Sequence, residues 1–459
     1  MTANDSRPHI LLIISRGEAV RNFLYSDTLK ILHEKARLTL LSVLDDERFT
    51  NRFAPLVDEI IPLKQFSEKK FLKFFRTLVH DAHFRWLWSG VAKNRWETDD
   101  YAARSSVQKS LKRLLTKIVV FPIANRPALK ILTKLERWLS FVLRPTRQFD
   151  EIFKTRKPDL VFNCSHIHGP AGELPAKVAR KLGIPTAGFI FSWDNLTSRS
   201  RIFVPYDYFF VWNDNMRNEL LKFYDDIPPE RVFVTGTPQF DFHFKPEYSL
   251  SREALADRIG FDADRPFILY TTGVDRHFPE EYKHVRKIIS ILEELKLDPK
   301  PQLVVRIYVK GTSPEMVELS KQGQKDVFWP AVAWDRKWFT PLYEDLEIYT
   351  SLIHHACLSI NAASTVSLEF IMHDKPVINI GFDPPGSSLP HHLRWSRHIN
   401  FDHYRHVAAS GAVAVAESVS ELKQMITEAL TNPGKQSAKR ADFTKRFFGS
   451  YLVGHAAER

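Results

Sequence analysis

The chain has 459 residues, 44% of them hydrophobic and 26% charged, with a formal net charge of +11. That length exceeds one core and that composition is too apolar for general disorder, so two globular domains are expected. No apolar run approaches the roughly 20 residues of a membrane-spanning helix, and MTANDSRPHILLIIS lacks the basic flank and cleavage site of a signal peptide. Cys164 and Cys357 each lie in an apolar strand pattern and read as small core residues, not a disulfide, which fits a reducing cytoplasm.

Along the chain, HILLIIS (9–15), RLTLLSVL (37–44) and VDEIIPL (57–63) predict strands, with a helix over 21–35. A basic segment follows. Between Lys64 and Arg147 there are 19 Lys+Arg against 6 Asp+Glu, a balance of +13, so this segment holds all the excess positive charge. In its first helix Phe71, Phe74, Phe75, Leu78, Ala82 and Trp86 share a face opposite Lys69, Lys70, Lys73, Arg76 and Thr77. A second stripe is Val107, Leu111, Leu114, Leu115 and Ile118, flanked by Lys109, Lys112, Arg113 and Lys117. A third helix, about 128–143, carries Leu132, Leu135, Trp138, Leu139 and Val142. Such helices suit either solvated faces over a packed core or an interfacial surface meeting anionic lipid. No nucleic-acid-binding motif accompanies the charge.

Alternation then resumes with strands at 158–165, 186–192, 206–213 and 231–236, and helices at 173–183 and about 215–224. A polar linker, about 238–251, leads to a second series with strands at 267–273, 302–309, 326–330, 356–361 and 375–382. Helices over 280–295, 364–373 and 420–430 complete it. Short apolar strands separated by amphipathic helices imply parallel sheets covered on both faces. The expected fold class is α/β: two tandem Rossmann-like domains facing across a cleft, residues 1–240 with a helical insertion at 64–147, and residues 241–440.

Ligands of open parallel sheets lie at the carboxyl ends of the strands. That rule selects FSWDNLTSRS after the 186–192 strand, with Asp194 and Asn195 facing the ligand or capping the next turn. It also selects Glu18, Arg21 and Asn22 in RGEAVRN, and His166 and His168 in HIHGP, where a carboxylate or imidazole suits a general base. In the second domain it selects Thr271, Thr272 and Gly273, whose hydroxyls and backbone suit phosphate oxygens. CLSINAASTVSLEF brings Asn361 to a strand end, with Ser364 and Thr365 opening a helix; a diphosphate at that helix start would leave Glu369 for a ribose diol, ordinary capping being the competing reading. His403, just past this element, is a further donor contact. No metal site is expected: Asp262-Ala263-Asp264 lies in a polar loop, and His391, His392, His398, His403 and His406 have no ligand-pair spacing.

Ser364-Thr365, the following Glu369 and DKPVINIG resemble the donor-nucleotide domain of GT-B glycosyltransferases and of CDP-glycerol glycerophosphotransferases. FSWDNLTSR, VWNDNMRNELL and VFVTGTPQFD resemble a bacterial surface-carbohydrate branch of that superfamily. The resemblance implies donor contacts from Thr271, Thr272, Ser364 and Thr365, ribose binding by Glu369, and a base at Glu18. Arg306 stands where glycerophosphotransferases carry Arg-x-His-Pro; the chain reads Arg-Ile-Tyr-Val there, which argues against a glycerophosphate donor. The final stretch, 441–459, resembles the terminal helix that returns to the first domain.

The reaction expected is metal-independent transfer of a sugar from a nucleotide diphosphate, a co-substrate with no other cofactor, to a hydroxyl of a glycan or lipid-linked acceptor. Glu18 or Asp194 would be the base, with Arg21, Asn22, His168 and Asn195 on the acceptor. The expected setting is cytoplasmic, peripheral on an anionic inner membrane face, without nucleic acid. The alternatives are a non-hydrolysing nucleotide-sugar 2-epimerase, a glycerophosphotransferase, or a non-catalytic basic membrane-binding scaffold.

Overall fold

The structure is a computed structural model that describes residues 6–166, 170–452 and 454–459. The chain divides into two compact units, Met1–Asp241 with Tyr451–Arg459, and Phe242–Ser450.

The first unit is built on seven parallel strands: β1 (His9–Ile14), β2 (Arg37–Ser42), β3 (Glu59–Pro62), β4 (Leu160–His166), β5 (Thr186–Ile190), β6 (Tyr208–Val211) and β7 (Val232–Val234). Their order is β3-β2-β1-β4-β5-β6-β7. Leu11 to Ile14 are all buried, as a strand covered by helices on both faces requires. The helix expected over 21–35 is two elements, a π-helical turn Val20–Tyr25 and helix α1 (Asp27–Lys35). Ser26 makes the break: its Oγ accepts from the Thr28 N–H and donates to the Asn22 carbonyl at 2.7 Å, starting a new helix where the old one stops.

Helix α2 (Glu47–Phe53) joins β2 to β3, and the insertion after β3 forms α3 (Lys70–Leu87), α4 (Gly90–Ala103), α5 (Val107–Ile123) and α6 (Arg126–Leu143). Leu72, Phe75, Val79, Trp96, Val120 and Leu129 form a core of their own. The buried face of α3 is rotated from the expected one. Phe71 and Phe74 point out, while Arg76, assigned to the solvated side, is buried. The α5 stripe also faces out, as do Leu135, Trp138 and Val142 of α6.

Buried charges explain the rotation. After α7 (Arg147–Arg156) and β4, helix α8 (Glu173–Lys181) lies against the sheet. Arg76 Nη2 reaches Glu173 at 2.7 Å and its Nη1 reaches Glu136 of α6. Lys177 Nζ meets the same Glu136 at 2.6 Å, and Ser140 donates to it at 3.0 Å. Burial alone would raise the Glu173 carboxyl, but Arg76, Lys177, His166 and Arg144 outweigh it and hold the group down at about 2. Burial pulls the Lys177 ammonium down to about 8 against the attraction of Glu136 and Glu173. The insertion is thus fastened to the sheet layer by ions that need one another.

The second unit has a six-stranded parallel sheet of β8 (Phe267–Thr271), β9 (Gln302–Arg306), β10 (Val327–Phe328), β13 (Leu358–Asn361), β14 (Val377–Ile380) and β15 (Ala414–Ala416), ordered β10-β9-β8-β13-β14-β15. A two-residue antiparallel pair, β11 (Trp334–Asp335) and β12 (Thr340–Pro341), stands apart from it. Both large sheets follow the doubly wound order 3-2-1-4-5-6, the first with one strand added.

The expected polar linker contains the Pro238–Asp241 helix and two 3-10 turns, with Phe242 packed on Tyr248 at 4.7 Å between ring centroids. The terminal helix ends at Phe448 and belongs to the second unit, where buried Arg440 bonds Asp374 at 2.7 Å. What joins the first unit is a run of turns: the Ala456 and Ala457 N–H groups donate to Asp241 at 3.0 and 2.9 Å.

Replacing Glu136 by Ala strands Arg76 and Lys177 without a counter-charge. Chemical denaturation of the full chain should show a loss of about 3–5 kcal/mol in the transition of the first unit.

Candidate functional site

In a doubly wound sheet the crossovers leave in opposite directions on either side of the first strand, which opens a crevice at its carboxyl end. In the second unit that point lies between β8 and β13. Thr271 and Arg306 are register partners on the last rung of β8 and β9. Tyr270 pairs with Ile360, which sets Asn361 level with Thr271 on the other side.

Arg306 is held by two side chains and short of one partner. Its Nη2 donates to Asp345 at 2.6 Å, and its guanidinium lies over the Tyr349 ring at 5.2 Å. Asp345 is also satisfied by Trp334 Nε1 at 2.8 Å and by the Ala333 N–H at 3.0 Å. Arg306 Nη1 is buried without a hydrogen-bond partner, and so is the hydroxyl of neighbouring Thr271. Two adjacent buried donors left over at a strand edge form a ready contact for an anionic oxygen. Thr272 accepts from the Tyr308 N–H at 2.8 Å, which leaves its own hydroxyl proton to donate.

Asp345 and Tyr349 are residues that sequence reasoning missed. They lie four apart on the Tyr343–His355 helix, and that spacing puts them on one face. The spacing was the signal available. What obscured it was the acidic start, YEDLE, with no strand before it to suggest a crossover.

Several expected donor contacts are corrected by the structure. The Gly273 N–H is taken by the protein's own Glu281, at 3.0 and 3.1 Å, and glycine is required there because a Cβ would stand 2.1 Å from the Phe278 ring. The helix expected to open at Ser364 runs Val366–Met372, with Thr365 as its cap. Asn361 Oδ1 accepts from the Ser364 N–H at 3.1 Å, and Ser364 Oγ accepts from the Val366 N–H at 3.4 Å, so the capping reading describes this turn. Ala363 completes it in the left-handed region, at φ 55°. Glu369 is buried between helices, where Tyr349 donates to it and His243 Nε2 lies 3.5 Å away. A buried carboxylate needs such partners. His403 is half-buried with its ring beside Phe401 at 5.9 Å between centroids.

In the first unit Glu18 is buried and paired with Arg16. Arg21 and buried Asn22 converge on Gln239, at 2.9 and 3.5 Å. Asp194 does not open toward a ligand: Ser192 and Asn195 donate to its Oδ1, and Ser198 donates to its Oδ2 at 2.6 Å. Asn195 is fully buried and accepts from the Ser192 N–H at 3.1 Å. The polar run SWDNLTS therefore closes on itself as a capped turn. His168 lies outside the described residues. Its neighbour His166 is buried, bonds the Tyr206 hydroxyl at 3.0 Å, and is held neutral by burial, at about 4.

Among the described residues one cluster has metal-ligating chemistry, and no sequence spacing announced it. His243, His354 and His373 place ring nitrogens within 4.8 Å of one another. Burial first, then the other rings, lower His354 to about 4 and His373 to about 3, so both are neutral at neutral pH. Both nitrogens of His354 are engaged, with Ser249 Oγ and the His243 carbonyl, each at 3.0 Å. His373 packs edge to face on both His243 and His354.

No family model matches the chain, and no curated protein matches it in sequence. Solved structures do match it in fold. The chain is similar to a UDP-GlcNAc 2-epimerase from Neisseria meningitidis bound to UDP-GlcNAc, at 12% identity and a TM-score of 0.54 over 98% of this chain and 97% of that one. A second UDP-N-acetylglucosamine 2-epimerase aligns at 14% and 0.56 over 99% and 94%. The UDP-GlcNAc 2-epimerase of Methanocaldococcus jannaschii aligns at 12% and 0.53 over 97% of each chain. The chain has the GT-B fold. Its paired Rossmann-like sheets are those of its structural neighbours.

Two measurements check this geometry. Thr271→Val removes a buried hydroxyl that has no partner, so the ligand-free protein should gain up to about 1 kcal/mol on thermal unfolding. Burial pushes the Glu281 carboxyl up to about 8, so the stability it contributes is present below pH 4.5 and is lost as pH rises through 8. Between pH 5 and 8.5 the melting temperature of wild type should fall relative to that of Glu281→Gln, and parallel curves would exclude the shift.

Proposed function

We propose that the chain is an enzyme of nucleotide sugars, in which Thr271, Thr272 and Arg306 hold the diphosphate of the donor. The observation that carries this reading is the pair of partnerless buried donors on adjacent strand ends, Thr271 Oγ1 and Arg306 Nη1. A diphosphate supplies the acceptor oxygens both lack. Arg306 keeps Asp345 as a counter-ion, so the site binds an anion without leaving a bare buried charge.

In this reading the sugar moves to an acceptor hydroxyl. A C–O bond forms at the anomeric carbon as the bond to the diphosphate breaks, the nucleoside diphosphate leaves with the electron pair, and the acceptor proton passes to a base. Charge grows on the leaving oxygens, where the unused Arg306 and Thr271 donors gain most.

The second reading is a non-hydrolysing 2-epimerase, favoured by the full-length likeness to UDP-GlcNAc 2-epimerases. The two differ in what they need. A transferase releases UDP from UDP-GlcNAc only when an acceptor is supplied. An epimerase converts the sugar nucleotide alone, and proton NMR of the sugar reports it. Calorimetry tests the shared part: Arg306→Lys, which keeps the charge and loses the planar fork, should weaken UDP binding by roughly tenfold or more. Unchanged affinity would remove Arg306 from the site.

A further inference from the structure

The insertion presents an apolar surface to solvent that its own fold does not need. Helix α5 is 17 residues, about 25 Å long, and among them Val120 alone is buried. Val107, Leu111, Leu115 and Ile118 follow one line along its outer face, and each is more than half exposed. Helix α6, which like α5 packs on α3, exposes Ile131, Trp138 and Val142 to the same degree, and the start of α3 exposes Phe71 and Phe74. Monomeric proteins rarely leave aliphatic and aromatic side chains grouped in this way without a use.

The unpaired charges on these three helices are basic. Helix α5 has no acidic residue, and its Lys109 and Lys112 are exposed. The single acid of α6 is Glu136, fully buried against Lys177 and Arg76, while Lys134 is exposed. The single acid of α3, Asp81, is buried too, and Lys70 and Lys73 are exposed near Phe71 and Phe74. The acids that reach the surface are neutralised by basic partners: Glu68, before α3, pairs with Arg76 and Arg144, and on α4 Asp100 pairs with Arg113 and Lys117 along one flank of α5.

We propose that the outer faces of α3, α5 and α6 are a docking surface for an anionic lipid bilayer, with the aliphatic and aromatic side chains entering the headgroup layer and the flanking lysines meeting lipid phosphates. Charge complementarity selects this occupant. A second copy of the chain would set lysine against lysine around the apolar centre. A nucleic acid would neutralise the lysines but leave the leucines wet, since its binding comes from phosphate contacts. A bilayer interface uses both sets at once. This inference does not rest on the nucleotide-sugar reading, and its test involves no sugar.

The test is flotation of the full chain with vesicles of phosphatidylcholine alone or mixed with phosphatidylglycerol. Wild type should float with the mixed vesicles, far less with the neutral ones, and less as salt is raised. The variant Leu111→Gln/Leu115→Gln/Ile118→Gln should lose roughly tenfold or more of its partitioning, with an unchanged melting temperature because these side chains are exposed. The variant Lys109→Gln/Lys112→Gln/Lys134→Gln should lose a similar factor and most of the salt dependence. If the apolar variant does not fold, the lysine variant decides. Wild type that stays unbound with anionic vesicles overturns the proposal, as do variants that float like wild type. So does a wild-type dimer that the glutamine variant dissolves, which would give the surface to a second copy, or duplex binding that only the lysines control.

Discussion

Two buried donors on neighbouring strands of the second sheet have nothing to bond. A folded chain rarely tolerates such a deficit, because a polar group without a partner forfeits the hydrogen bonds it made to water. Arg306 and Thr271 carry theirs at the carboxyl edge of a doubly wound sheet, where the topology itself opens a crevice. Around them the same edge is carefully satisfied: Asp345 has three donors, the Gly273 N–H has Glu281, and the Ser364 N–H has Asn361. Arg306 Nη1 and Thr271 Oγ1 stand out on that edge because they are adjacent and neither has a partner.

The first unit distributes polarity differently. Its insertion buries Asp81 and Glu136 and shows its hydrocarbon. Glu136 and Glu173 lie inside, compensated by Arg76 and Lys177, so the acids that would balance the surface lysines are withdrawn from it. The same network fixes the rotation of α3, which turns Phe71 and Phe74 outward. One set of buried ion pairs thus decides both how the insertion is attached and which side chains it presents.

Most of the architecture was legible in the sequence because its strands are short apolar runs bounded by turn residues, and such runs fix a parallel sheet covered on both faces. The helix over 21–35 failed at Ser26, where a cap competes with continuation. The face of α3 failed because periodicity finds a stripe without saying which stripe is buried, and Arg76 has partners 60 and 97 residues away. At the candidate site the strand-end rule selected Thr271, the family resemblance supplied Arg306, and neither separated them from Gly273, Asn195 or Glu369. All five stand where a ligand could be met. They differ in whether the protein already supplies a hydrogen-bond partner: Gly273 has Glu281, Asn195 has Ser192 and Glu369 has Tyr349.

The central claim is that the partnerless donors of Arg306 and Thr271 receive the phosphate oxygens of a nucleoside diphosphate. A crystal structure of the chain grown with UDP tests it most directly. The account predicts phosphate oxygens within hydrogen-bond distance of Arg306 Nη1 and Thr271 Oγ1. Nucleotide bound elsewhere, with both groups still unpartnered, would contradict it.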